Sequence, residues 1–117
     1  MEDEELEKVI GLLAAGEKKI NLKFFAFYNC EVAESGWTIK FRSAYEEFGG
    51  DGKYYYFWLS NKEGGAKFKA IAREIDLRNG EEKNQRELQS ERDGTRQLIK
   101  YIKVDDLAFV RFNITIL

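Results

Sequence analysis

Lys53-Tyr54-Tyr55-Tyr56-Phe57-Trp58-Leu59 is the stretch on which the reading of this chain turns. Five consecutive aromatic residues favour an extended strand, because their rings pack well on a pleated surface and lose freedom against a helical turn. Alternation then places Tyr55, Phe57 and Leu59 on one face and Tyr54, Tyr56 and Trp58 on the other. Leu59 marks its own set as the core side. The opposite set, two tyrosines and a tryptophan, must be covered or used.

Upstream, Trp37 to Glu46 alternates in the same way, with Trp37, Ile39, Phe41 and Tyr45 set against Thr38, Lys40 and Arg42. The glycine-rich loop Phe48-Gly49-Gly50-Asp51-Gly52 joins the two strands as a hairpin, and Glu34-Ser35-Gly36 is a turn before them. From Ile20 to about Cys30 the period is again two: Ile20, Leu22, Phe24, Ala26 and Tyr28 against Asn21, Lys23, Phe25, Phe27 and Asn29. The three segments read as an antiparallel meander. Residues 3–15 before them fit a short amphipathic helix through Leu6, Val9, Ile10 and Leu13, with acidic residues in the first turn and Gly16 as its stop.

Downstream, Phe68, Ile71, Ala72 and Ile75 form a helical stripe within Ala66–Leu77, and Asn79-Gly80 breaks it. Residues 81–92 hold one apolar side chain, Leu88, so residues 79–95 are expected to be a mobile polar loop or a solvated helix. Leu98, Ile102 and Val104 mark a strand, Asp105-Asp106 a tight turn, and Ala108, Val110, Phe112, Ile114 and Ile116 a final alternating strand. The expected fold is a single α+β domain over residues 1–117. It has a mostly antiparallel, aromatic-rich sheet of about five strands, the order α-β-β-β-α-β-β, and two packing helices.

The chain's 117 residues suffice to bury roughly two thirds of the unfolded surface without staples. No stretch approaches the roughly 18 apolar residues of a membrane helix, the start is acidic rather than signal-like, and a lone cysteine precludes an internal disulfide. A cytoplasmic setting without membrane contact is therefore expected. High charge with no proline and no histidine has a thermophilic cast. Net charge is −2, with 4 Lys/Arg against 8 Asp/Glu in residues 1–35 and 10 against 7 in residues 66–103. Such a balance excludes a strongly basic duplex-DNA binder but allows a local basic surface.

Added together, the less apolar strand faces contribute Lys23, Phe25, Phe27, Lys40, Arg42, Tyr54, Tyr56, Trp58, Phe109 and Arg111. Rings interleaved with cations suit single-stranded nucleic acid: bases stack on the rings and cations hold the phosphates. Phe25, Phe27, Tyr54, Tyr56 and Trp58 would stack, while Lys23, Lys40, Arg42 and Arg111 would hold phosphates. Equally, a helix on each side of the sheet would make Phe25, Phe27 and Trp58 core, with the cations snorkelling past them.

Absence of histidine excludes His-based triads and the usual zinc sites, and Cys30 reads as a structural thiol. The pairs Glu46/Glu47, Glu81/Glu82 and Asp105/Asp106 lack Ca²⁺-loop spacing, and no glycine run matches a phosphate-binding loop. The expectation is a non-enzymatic binding domain with no cofactor or metal, its partner single-stranded nucleic acid, DNA ahead of RNA. The alternative is a small protein-interaction module (inhibitor, immunity protein or assembly subunit) acting through the aromatic face or the acidic helix, or a homodimer burying that face. No motif assigns a family. The organisation, a helix followed by an aromatic-rich antiparallel sheet in a thermophile-like composition, resembles that of small archaeal single-strand DNA-binding proteins outside the OB-fold group.

Overall fold

A computed structural model describes residues 2–24, 30–44, 54–61, 66–105 and 107–117. Among these described residues one helix, α1 (Glu2–Ala14), precedes nine strands: β1 (Lys19–Phe24), β2 (Cys30–Glu34), β3 (Trp37–Ala44), β4 (Tyr54–Asn61), β5 (Phe68–Asp76), β6 (Glu82–Gln89), β7 (Glu91–Asp93), β8 (Arg96–Ile102) and β9 (Ala108–Ile116). They form two antiparallel sheets, ordered β1-β9-β5-β6 and β2-β3-β4-β8-β7.

The two sheets pack face to face over one core. Phe57 of β4 lies between Phe68 of β5 and Phe112 of β9, with ring centroids 5.5 and 5.1 Å away. Tyr101 of β8 meets Phe112 edge-on at 6.1 Å. Burial of Ile39 and Phe41, of Tyr55, Phe57 and Leu59, and of Val110, Phe112 and Ile114 follows the alternation read from the sequence.

Both pairs of sheet edges are managed. Strands β6 and β7 end their respective sheets and are one polar segment bent at Ser90. There the Ser90 N–H donates to the Phe68 carbonyl, and the Ser90 hydroxyl oxygen accepts the Phe68 N–H at 3.1 Å. The opposite edges, β1 and β2, are closed by α1, whose Leu6, Val9, Ile10 and Leu13 enter the shared core. The Glu5 carboxylate accepts the edge-facing Lys23 N–H at 2.8 Å. Gly16, at φ +86°, ends the helix: its N–H donates to the Leu13 carbonyl and the Glu17 N–H to that of Leu12, a Schellman closure.

This architecture corrects the expected α+β fold with two packing helices. Residues 68–76 form a strand, not a helix, because Phe68, Ala70, Ala72, Glu74 and Asp76 are all buried on one face. The stripe Phe68, Ile71, Ala72 and Ile75 satisfies a helical period as well, but β9 and β6 supply hydrogen-bond partners on both sides. Residues 82–93 are likewise strands rather than a loop or helix. They bury few side chains, and their ordering comes from backbone pairing with β5 and β8. Of the first predicted strand, Ile20–Phe24 lies in β1 and residues 25–29 lie outside the described residues, while Cys30–Glu34 is a strand of the other sheet, turned at Ser35 and Gly36 into β3.

Candidate functional site

Two sheets have two outward faces, and the predicted site divides between them. Lys23 and Arg111 lie on the four-stranded sheet, while Lys40, Arg42, Tyr56 and Trp58 lie on the five-stranded one. Tyr54 begins β4 opposite Ala44 and Ile102. Phe25 and Phe27 lie outside the described residues.

On the five-stranded sheet, Trp58 is half-buried and stacks on Tyr56 at 6.0 Å with an interplanar angle of 26°. Its indole N–H donates to the Asp93 carboxylate at 2.7 Å, which fixes the ring. Lys40, directly opposite in β3, places its ammonium 5.9 Å from the Trp58 ring, and the Arg96 guanidinium of β8 lies 5.2 Å from it. Lys40 is also 3.7 Å from Glu31, and Arg96 is 3.7 Å from Asp93. Tyr56 sits between Arg42 and Lys100 in register and is only 7% exposed, so Trp58 is the ring of this pair that offers surface. Arg42 Nη1 donates to the Cys30 and Phe41 carbonyls at 3.3 and 3.1 Å. Arg96, Lys100 and Asp93 join this surface only through the pairing of β8 with β4 and of β7 with β8, which no local pattern in residues 79–95 signals.

On the four-stranded sheet, Lys23 of β1, Arg111 of β9 and Arg73 of β5 are direct cross-strand neighbours. With Glu5, Asn21, Leu22 and Asn113 they line a recess of about 300 Å³. The helical stripe over Ala66–Leu77 hides Arg73 from this surface; taken as a strand with Phe68, Ala70 and Ala72 as its buried set, the same segment turns Arg73 outward beside Arg111.

A third cluster caps the β5 end of the fold. Arg78 Nη2 bridges Asp76 and Asp105 at 2.8 and 2.9 Å, and Lys83 Nζ donates to both carboxylates. A bulge assembles it: Ala72 pairs with Arg86 but Glu74 with Lys83, and Asn84 takes φ +55°. Without that extra residue Lys83 would alternate to the outer face. Hydrogen bonds from the Arg78 side chain and N–H, then from Lys83, hold the Asp76 carboxyl far below the usual carboxylate range, against a desolvation that pushes it up. Lys83 does the same, less strongly, for Asp105.

Both carboxyls titrate lower in the folded than in the unfolded chain. The stability they contribute is therefore complete above about pH 4 and is lost as pH falls below it. Lys83 and Arg78 are shifted up, so their share fails only in strong alkali. Replacing Arg78 with glutamine is expected to lower the melting temperature at neutral pH and to flatten the acid limb. Thermal melts of both proteins between about pH 2 and pH 7 measure this, and a melting-temperature gap that stays constant with pH would show that the cluster is not coupled to folding.

The molecule so described is an antiparallel two-sheet β domain, edge-capped by one helix, with a ring-and-cation surface on one sheet and a cationic recess on the other. Set against known proteins, the chain matches no family model, no curated protein and no solved structure. No helix among the described residues is long and apolar enough to cross a membrane.

Proposed function

We propose that the domain is a non-enzymatic binder of single-stranded nucleic acid, DNA in the first instance and in a cytoplasmic setting, through the outward face of the five-stranded sheet. The observation that supports this is Trp58, a half-buried ring fixed by Asp93 and flanked by the Lys40 and Arg96 cations. A base laid on the indole brings its neighbouring phosphates within reach of those cations and of Lys100, and stacking with backbone neutralisation is sequence-tolerant. Tyr56 contributes by backing the indole rather than by holding a base.

Fluorescence tests the reading. In a Trp37→Phe background, Trp58 is the sole tryptophan, and titration with an unstructured oligonucleotide should quench it saturably, with affinity falling as salt rises. Removing both flanking cations, Lys40→Gln with Arg96→Gln, should weaken binding roughly tenfold or more and reduce the salt slope. A flat titration at micromolar protein would sink the proposal.

A protein partner is the second reading. It is favoured by Leu77, Ile102, Val104 and Leu107, which are 44–57% exposed at the C-terminal ends of β5 and β8 and just before β9. Recovery of one stoichiometric protein partner, lost on Leu77→Asp with Val104→Asp, together with no oligonucleotide binding, would decide for it.

A further inference from the structure

The four-stranded sheet carries a feature that neither folding nor the Trp58 face accounts for. Lys23, Arg111 and Arg73 stand directly opposite one another across β1, β9 and β5, on the outward side by alternation with the buried Leu22, Phe112 and Ala72. Like charges placed opposite each other destabilise a sheet, and three in a row concentrate positive potential at one spot. Nearby acids offset it only in part. Glu82 lies 3.6 Å from Arg111 and 4.0 Å from Arg73, and Glu5 on the rim already accepts the Lys23 N–H. Counting these described groups, three cations face two carboxylates.

The row is also built rather than merely crowded. Arg73 donates from Nη1 to the Asn113 side-chain oxygen at 2.7 Å and from Nε to that of Gln85 at 3.0 Å. The Asn113 amide nitrogen donates in turn to the Asn21 side-chain oxygen. The chain of bonds runs donor to acceptor from Arg73 through Asn113 to Asn21, so it ends on the Asn21 amide N–H₂ group. With two guanidinium groups, an ammonium and the Asn21 amide set against the Glu5 carboxylate on its rim, the recess presents more donors than acceptors, as an oxyanion requires. Beyond the lining itself, the half-buried Phe109 ring lies 5.6 Å from Lys23 Nζ.

From this arrangement we infer that the recess lined by Lys23, Arg73, Arg111, Asn21 and Asn113 binds a terminal phosphate group. At about 300 Å³ it is at the lower limit for small-molecule pockets, enough for a phosphate and a small organic moiety. Guanidinium pairs match the fork of phosphate oxygens, and the group's negative charge offsets the surplus cation of the row. A phosphomonoester can be a free small molecule or the 5′ end of a nucleic acid. The site lies on the other sheet from Trp58 and stands or fails independently of it.

The test is a ¹H–¹⁵N NMR titration of the whole protein, first with inorganic phosphate and then with ribose 5-phosphate. Matched oligonucleotides with a 5′-phosphate and a 5′-hydroxyl form the second arm. Saturable shifts centred on the Asn21 and Asn113 side-chain amides are expected, and Arg111→Gln should weaken the affinity at least about tenfold. Tighter binding of ribose 5-phosphate identifies a small-molecule ligand. Preference for the 5′-phosphorylated strand over its hydroxyl twin, lost in the same variant, identifies a nucleic-acid end. Absence of saturable shifts, or shifts that Arg111→Gln leaves unchanged, overturns the inference. Lys23→Gln provides a control that does not depend on a ligand: with the repulsion relieved, the unliganded variant should melt no lower than the wild type. A lower melting temperature would make the row structural and count against a binding site.

Discussion

Replacing Glu74 with alanine is expected to destabilise the protein by about 3–5 kcal/mol, since a buried donor left without an acceptor costs about 1–3 kcal/mol and two part-buried donors add to that. Glu74 is fully buried on the inner face of β5, where an apolar residue would ordinarily sit. Its carboxylate accepts the Tyr101 hydroxyl from the other sheet and the N–H groups of Val104 and Asp105, the latter two at 2.9 and 2.7 Å. One side chain thereby ties the two sheets together and anchors the segment between β8 and β9. Glu74→Ala strands all three donors at once. Glu74→Gln keeps one oxygen but turns an N–H₂ group toward another donor, so its cost should be intermediate. Tyr101→Phe removes a single bond and should cost about 1 kcal/mol, the usual net worth of a hydrogen bond. Urea denaturation at neutral pH ranks the three. An alanine variant within about 1 kcal/mol of wild type would show that water or the backbone replaces the carboxylate, contrary to this account. Desolvation, reinforced by the hydrogen bond to Glu74, pushes the Tyr101 hydroxyl well above its ordinary range. The tie therefore holds through neutral pH and weakens only in strong alkali.

The second large effect separates two residues joined by one peptide bond. Phe57→Ala is expected to cost about 3–5 kcal/mol, as for deletion of a buried ring. The ring fills the space between Phe68 and Phe112 at the centre of the sheet interface. Trp58→Ala should cost no more than about 2 kcal/mol, although it removes the larger side chain. Trp58 is half-buried on the outer face and loses one indole bond to Asp93, whose carboxylate keeps Arg96 as a partner. Its effect should fall on oligonucleotide affinity instead, where a lost stacking ring costs roughly 1–3 kcal/mol per base. Urea midpoints and binding curves for the two variants give both numbers. Equal loss of stability would mean that both faces of β4 are core and would remove the basis for the proposed interface.

The candidate sites were legible in pieces. Alternation alone puts Lys40, Tyr56 and Trp58 on outward faces, and the pairing of β3 with β4 sets Lys40 opposite Trp58. Lys23 and Arg111 were named for the same surface, yet they meet Arg73 on a different sheet. Summing outward faces requires knowing which strands share a sheet, and that depends on pairings between residues far apart in the chain. Nothing local marks Glu74 as buried: its three donors come from residues 101–105, about thirty positions on.

What the sequence determined by itself is what neighbouring residues can settle among themselves. It specified the N-terminal helix with its Gly16 stop, the Ser35-Gly36 turn, the paired strands β3 and β4, and the inward sets of β4 and β9. Only the tertiary structure decided the state of residues 68–76, where helical and extended periods both fit, and of residues 82–93, where neither does. In the first case β9 and β6 satisfy the backbone on both sides, which a helix at the same place would leave unpaired on two neighbouring strands. In the second, a segment with almost nothing apolar is ordered because its N–H and C=O groups complete both sheets and close their edges at Ser90. Side-chain patterning is local information; the demand of distant strands for hydrogen-bond partners is not.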